Sequence, residues 1–305
     1  MQHKTKGIIL VSVLISTAVI SPVVYKLVLS QNQNIEKTIS YNLSSRAIMD
    51  ALAVEIWARN TLLDDLNHST HDSYNENWNM GLPATFSEAS RLSANIIDLN
   101  SRLNLNNLFY AADDDFARVI VRLFTTIEID ETIAVNLVNA LKDWMDDNND
   151  TRATGGAEDD YYMLLDEPYR TANNLMADIS ELRLIRGMTD EIYKKILPFV
   201  TVLPGKTRTN VNTAPLEVLQ AILPEEAKDF TYSNSFDFEK LEEFATYYEE
   251  STSKKIPPQS LSLLATSSNF FAVNISSEFY EAKIRLTSII SRGNTVGVVN
   301  RFLNN

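Results

Sequence analysis

The sequence predicts an α+β fold: a long N-terminal helix packed on a small antiparallel sheet, with a large α-helical domain inserted into that sheet. Three observations predict it. An apolar N-terminal run continues without interruption into a helical pattern. Alternating, strand-like segments occur around residues 95–107 and again beyond residue 270. Between them lie about 150 residues whose apolar positions recur at helical spacing.

The chain has 305 residues, with 40 Asp+Glu against 27 Lys+Arg, a formal net charge of −13, no Cys and three His. A hydrophobic fraction of 45% is ordinary for a globular chain and excludes wholesale disorder. The acid surplus argues against a nucleic-acid binder held by a broad basic face. Without Cys there are no disulfides, thiolate zinc sites, iron–sulfur clusters or Cys nucleophiles. Any bound metal is therefore expected to be a hard, oxygen-loving ion.

From Ile8 to Tyr25 no side chain is charged, close to the ~20 residues that span a bilayer as a helix. Lys4 and Lys6 precede the run and only Lys26 follows it, which favours a cytoplasmic N-terminus. A cleaved secretory signal is the simpler reading, and two features count against it. No small-x-small site ends the run, and the helical pattern continues through Gln31 to about Leu66. Ile35, Ile39 and Leu43, then Ile48, Leu52, Ile56 and Leu63, mark its stripe. Such a helix is roughly 85–90 Å long at ~1.5 Å per residue. Pro22 is expected to kink it within the membrane part. A short basic leader ending in Gly7 and abutting the apolar run resembles the processing site of type IV pilin-like proteins. That resemblance places a cut between Gly7 and Ile8. It also makes Ser12 the fifth mature residue, where most pilins carry a Glu that needs a partner in a neighbouring subunit.

The next elements follow from local pattern. Leu99, Leu103 and Leu105 alternate with polar residues and predict one or two half-buried strands. Phe116, Val119, Ile120 and Leu123 predict a helix from Asp114. Asp130 is a natural cap for another carrying Ile133, Leu137, Leu141 and Trp144. Asp178 with Glu181 forms a capping-box variant, Gly187 a C-cap, and Thr189 the cap of a helix stopped before Pro198. Thr213-Ala-Pro215 opens a helix carrying Leu216, Leu219 and Ile222, and Phe236 to Tyr248 reads as the last amphipathic helix. After the Lys255–Ser260 break, Phe271/Val273/Ile275 and Ile284/Leu286/Ser288 alternate as strands. Gly293-Asn294 turns the chain into Val296–Phe302.

Residues 143–167 hold nine acids and one base, Arg152. So many like charges repel unless solvated or bridged by a cation. Asp146-Asp-Asn148-Asn-Asp150 has the odd-spaced oxygens of a calcium loop, and Gly155-Gly156 allows a sharp turn before Glu158-Asp159-Asp160 supplies a second set. The alternative is a solvated acidic loop. Trp144, Tyr161, Tyr162 and Tyr169 favour an ordered one, and with it bound Ca²⁺ in a structural role, as one or two ions. A metal-dependent hydrolase is a rival reading, weakened by the absence of any His or Lys within residues 143–167. His68 and His71 read as a polar surface loop, and no Ser/His pair marks a nucleophile, so no enzymatic activity is expected.

Leu203-Pro-Gly205 and Asn210-Val-Asn-Thr-Ala-Pro215 resemble helix–hairpin–helix modules, including those of DNA-uptake receptors. Ile185-Arg-Gly187-Met188 and Ile222-Leu-Pro-Glu-Glu226 stand where phosphate-binding Gly-x-Gly should be, and the second is acidic and lacks Gly, so no nucleic acid is expected to bind.

Several long segments carry a closer resemblance. These are Asp98-Leu-Asn-Ser-Arg-Leu-Asn-Leu-Asn-Asn107, Asp143-Trp-Met-Asp146 and Gly155-Gly-Ala-Glu-Asp-Asp-Tyr-Tyr162. With them stand Pro168-Tyr-Arg170, Ser180 through Met188 and Asn210-Val-Asn-Thr-Ala214. By them, and by the Gly7 leader with Ser12, the chain resembles the K-type minor pseudopilins of bacterial type II secretion. The resemblance implies a type IV pilin-like fold interrupted by a calcium-binding helical domain. It divides the chain into a leader (1–7), a transmembrane part (8–30), a first pilin-like part (31–113), the insert (114–265) and the C-terminal strands (266–305). It implies Asp146, Asn148, Asp150, Glu158, Asp159 and Asp160, with Asn173, as Ca²⁺ ligands. It also implies a single-pass inner-membrane protein with a periplasmic domain, processed by a prepilin peptidase. Its implied place is the tip of a pseudopilus with minor pseudopilins I and J, initiating assembly of the major pseudopilin G for export of folded proteins. A membrane-tethered DNA-uptake subunit is the alternative.

Overall fold

The computed structural model describes residues 3–83, 86, 90–110, 115–223, 230, 232, 236–293 and 295–304. Helix α1 (His3–His68) is continuous over 66 residues, through Pro22. Pro22 has no N–H to give Ala18, and the neighbouring Ser21 Oγ donates to Thr17 O at 2.7 Å. The apolar first part of α1 is unburied, and among the described residues α1 is the one helix long and apolar enough to cross a membrane. In its second part the buried face is Ala47, Ala51, Val54, Ala58 and Leu62. Of the apolar stripe, Ile35, Ile39, Leu52, Ile56 and Leu63 are exposed. Small side chains let the helix backbone lie close on the sheet, which turns the bulky aliphatics outward.

A one-turn 3₁₀ helix at Asn77–Met80 buries Trp78 against that face. Strand β1 (Arg91–Asp98) follows. The expected strand beyond it is largely replaced by turns. Asp98 caps a 3₁₀ turn at Leu99–Ser101, leaving only β2 (Leu103–Asn104) and then α2 (Asn107–Tyr110). The cause is the Asn run. Buried Asn104, Asn106 and Asn107 bond distant backbone at Leu203, Met176 and Thr207, which holds the chain in turns instead of a ladder.

The insert carries α3 (Asp115–Thr126), α4 (Glu131–Met145), α5 (Asp159–Tyr162), α6 (Asp190–Ile196), β3 (Val200–Thr201), β4 (Thr209–Asn210), α7 (Leu216–Ile222), α8 (Leu241–Thr252), α9 (Pro258–Leu261) and β5 (Leu264–Ala265). Asp130 accepts from Thr132 and Ile133 N–H and Thr189 from Ile192 N–H, as expected of caps, and Asp178 with Glu181 forms a full capping box on a 3₁₀ helix at Ile179–Leu184. Helix α8 begins at Leu241, later than its pattern suggests. Phe236 and Phe238 lie outside it and pack against Tyr247, with Phe238 N–H held by Asn212 Oδ1 at 3.0 Å. The insert has its own core, in which Leu123, Phe124, Leu137, Leu141, Val218 and Phe244 are buried together with Leu103, Leu105 and Leu108. The Asp114 start, Glu225-Glu226 and the Asn294 turn position lie outside the described residues.

The chain then returns to the first sheet as β6 (Phe270–Phe279), β7 (Ala282–Arg292) and β8 (Val296–Asn304). The order is β1-β6-β7-β8, antiparallel throughout, with a register shift at Ile289/Ile290. Val273, Ile275, Leu286 and Ile290 meet Ala51, Val54, Ala58 and Leu62 of α1 in a second core, with Trp78 edge-on to Phe271 at 5.4 Å. Buried Glu55 of α1 reaches into the sheet and accepts from Ser288 Oγ (2.5 Å) and Arg301 Nε and Nη2 (2.7 and 2.8 Å). The Arg301 hydrogen bond holds its carboxyl below the usual range, outweighing burial.

One buried polar clasp joins helix, sheet and insert. Arg292 of β7 pairs with Asp65 of α1 at 2.6 Å and with Asp72, and stacks over the Phe271 ring at 4.8 Å. Asp98 accepts from Ser268 Oγ (2.6 Å), Thr213 Oγ1 (2.5 Å) and Asn210 Nδ2 (3.1 Å). Burial pushes the Asp98 and Asp65 carboxyls each up to about 6. Nearby, His71 departs from the exposed loop expected of it: its Nε2 lies 2.8 Å from Asp237 Oδ1, a bond across 166 residues, whereas His68 stays exposed.

Candidate metal site

Helix α4 brings the acids of the loop to its C-terminal end. Asp143 lies in its last turn and Asp146 is its C-cap residue, and their i, i+3 spacing puts both carboxylates on one face. Glu158 arrives from the other side, just before α5. Oxygens of Asp143, Asp146 and Glu158 all lie within 4.8 Å of one another. Asp143 is fully buried and Glu158 is 1% exposed.

The close approach depends on the glycine pair. Gly155 has φ +73° and a Cβ there would collide with Asn136, while a Cβ on Gly156 would strike the Asp143 carboxylate. Arg186 Nη1 then fixes Gly156 O at 2.8 Å. Trp144 and Tyr162, ring centroids 5.4 Å apart and edge-on, form the apolar floor, and Tyr162 OH accepts from Arg186 N–H.

Neutralisation of the three carboxylates is incomplete. Arg152 Nη1 donates to Asp143 Oδ1 and, at 2.7 Å, to Asp146 Oδ2, and Arg152 N–H donates to Asp143 Oδ2 at 3.1 Å. Both oxygens of Glu158 are buried and accept no hydrogen bond, since the neighbouring Thr171 hydroxyl donates to Asp159 Oδ1 at 3.1 Å. An orphaned buried carboxylate beside two others is strongly disfavoured as an anion. Burial first, then Asp143 and Asp146, push Glu158 up to about 7.

Of the residues expected as ligands, Asp146 and Glu158 stand in this cluster. Asn148 is tied to it, its N–H and Nδ2 donating to Asp146 Oδ1 at 3.3 and 2.7 Å while its Oδ1 accepts from Asp150 N–H. Asp159 is engaged by Thr171, and Arg170 Nε lies 3.9 Å away. Asn173, in the left-handed region at φ +43°, is anchored through N–H to Trp144 O at 3.0 Å. Asp150 and Asp160 are exposed. Asp143 was not expected as a ligand because it reads as an ordinary position of an amphipathic helix. Its i, i+3 spacing to Asp146 is the signal that finds it. At the leader, Gly7 is already within α1 and Ile8 is exposed.

The donor set is all oxygen, anionic and partly unpartnered, which fits a hard divalent cation such as Ca²⁺. It also fixes a pH dependence. Glu158 binds its proton more tightly in the folded chain, about 7, than in the unfolded chain, 4.5. Metal-free protein should therefore lose stability as pH rises from about 4.5 to about 7. Thermal melts of the E158Q variant without metal should lack that part of the slope, and an unchanged slope would refute the assignment.

The helix–hairpin–helix look-alike keeps its local geometry, with positive φ at Gly187 (+83°) and Gly205 (+78°). Its polar residues Asn210, Asn212 and Thr213 are buried, however, and bond Asp72, Phe238 and Asp98 inside the molecule.

Comparison with known proteins agrees with this architecture. Residues 101–205 match the family described as type II secretion system, protein K. The type II secretion system protein K of Pseudomonas aeruginosa is 32% identical over 231 residues, covering 73% of this chain and 69% of that protein. The protein of the same name from Klebsiella pneumoniae is 30% identical over 238 residues, covering 74% and 72%. Among solved structures, a chain of the GspK–GspI–GspJ complex from the enterotoxigenic Escherichia coli type 2 secretion system superposes with a TM-score of 0.77 at 19% identity. That similarity covers 88% of this chain and 99% of the other.

Proposed function

The chain belongs to the type II secretion system protein K family, and from that premise we propose that it is the subunit that starts and caps the pseudopilus, supporting export of folded proteins across the outer membrane. The family is one of secretion pseudopilins and not of enzymes. The observation that carries the proposal is the joining of an unburied apolar anchor, a helix packed on a four-stranded sheet, and a bulky insert on one continuous chain. An insert with its own core would be hard to fit inside a tight helical filament and fits at its end.

In this reading a prepilin peptidase cuts between Gly7 and Ile8, and the chain stays anchored by a single span (residues 8–30) in the inner membrane with residues 31–305 in the periplasm. Ser12 needs no subunit above it, because its hydroxyl is satisfied within the helix by Ile9 O at 2.8 Å. The outward stripe of Ile35, Ile39, Leu52 and Ile56, with a groove between α1 and Met80, Pro83 and Phe86, offers an apolar face to partner subunits. The structurally similar chain was solved with GspI and GspJ, so minor pseudopilins I and J are the proposed partners here, with the major pseudopilin G below them. The site at Asp143, Asp146 and Glu158 is proposed to hold Ca²⁺ in a structural role, with Asn148, Asp150, Asp159, Asp160 and Asn173 completing one or two coordination shells.

The DNA-uptake alternative is disfavoured by charge and by burial. Residues 114–265 hold 28 acids and 15 bases, so the whole net charge of −13 falls within them. The hairpin residues that would face phosphates are engaged internally. Co-expression of the full chain with minor pseudopilins I and J, followed by purification in detergent, should recover a three-way complex, and deletion of the gene should abolish export of folded substrates. Recovery of the chain alone, with export intact in the deletion strain, would reject the proposal.

A further inference from the structure

Arg152 occupies the position in the acidic site that a cation would take. One guanidinium nitrogen, Nη1, donates at once to Asp143 and to Asp146, and the residue's own N–H donates to the remaining oxygen of Asp143. Arg152 comes from the turn immediately before Gly155-Gly156, so its side chain can leave without moving helix α4 or the aromatic floor of Trp144 and Tyr162. It is also half-exposed, 36% at the side chain, against 0% for Asp143. A planar fork on a flexible stem is suited to such a reversible role.

We propose that Arg152 is a tethered counter-cation that holds Asp143 and Asp146 together in the metal-free protein and is displaced from them when a divalent cation binds. The proposal rests on the reading of this site as a calcium site. One guanidinium against three carboxylates leaves the cluster under-neutralised, with Glu158 wholly unpartnered, so the metal-free form is held together without satisfying the site. A divalent ion brings twice the charge and accepts oxygens from all three residues, which the fork does not reach together. Because binding must first release Arg152, the arginine lowers the apparent affinity by the fraction of time that the site stands open. It thereby sets the calcium concentration at which the site fills.

The test compares wild type, Arg152→Gln and Arg152→Lys as full chains in detergent, titrated calorimetrically with Ca²⁺ and melted with and without it. Loss of a competitor at a site open one-tenth to one-hundredth of the time should tighten Ca²⁺ binding by roughly tenfold to a hundredfold in R152Q. R152K keeps a single cation without the fork and should fall between. The metal-free melting temperature of R152Q should drop below that of wild type, while at saturating Ca²⁺ the two should converge. Weaker or unchanged Ca²⁺ affinity in R152Q, with binding intact in wild type, would overturn the role of Arg152 and leave the calcium site standing. Absence of Ca²⁺ binding in wild type and both variants would overturn the calcium reading and this inference with it.

Discussion

Replacing Arg292 with Met is expected to lower the stability of the chain by about 3–5 kcal/mol, the range seen when one member of a buried ion pair is removed. Arg292 is 4% exposed and faces Asp65 and Asp72, 7% and 0% exposed at the side chain. Methionine fills much of the volume and keeps the contact with Phe271, so the dominant loss is electrostatic: two buried carboxylates without a counter-charge. A change of that size should shift the melting temperature by about 6–20 °C for a unit of this size. Its sign with pH separates it from a packing defect. Asp65 already titrates near 6, driven first by burial. Without Arg292 both carboxyls should rise further, so the deficit of R292M should shrink on acidification towards pH 5 and widen at pH 8. A pH-independent deficit, or none, would show that the clasp is not held by charge.

Chelation of calcium is expected to give the second large effect. At a free Ca²⁺ concentration a thousandfold above Kd, binding adds about 4 kcal/mol, so EGTA should lower the melting temperature of the full chain in detergent by about 8–16 °C. Ca²⁺ should also flatten the pH dependence assigned to Glu158, because the bound ion holds that carboxylate ionised and proton release accompanies binding. No shift on chelation and no calcium retained by elemental analysis would dismiss the site as a cation site.

Much of this architecture was legible in the sequence because it rests on local chemistry. The caps at Asp130, Asp178 and Thr189 work through side chains within three residues of the groups that they satisfy. The alternation of Phe271, Val273 and Ile275 reports a sheet face directly. What stayed hidden depends on distant partners. The Asn run after Asp98 reads as an alternating strand, yet its amides are committed to backbone about 70 to 100 residues away. The buried face of α1 is hidden for a related reason: hydrophobicity ranks Ile56 above Ala58, but close approach to a sheet selects the smaller residue. At the site, Asp146 and Glu158 announce themselves by the density of acids around them. The meeting of Asp143 with Glu158 and the placement of Arg152 emerge only when the glycine turn folds residues 152–158 back over the end of α4.

The attachment of the insert has a mechanical consequence. The chain leaves the sheet at Asp98 and re-enters at Phe270, and Asp98 is paired with Phe271 in the β1–β6 ladder. Both tethers therefore emerge at one end of the same two-stranded ladder. A force that draws the two tethers apart loads that ladder rung by rung, as in opening a zipper, and does not share the load across all its bonds. The first rung is where the Asp98–Ser268–Thr213 bonds and the Arg292 ion pairs sit. The rivet has been placed at the end from which the seam would tear.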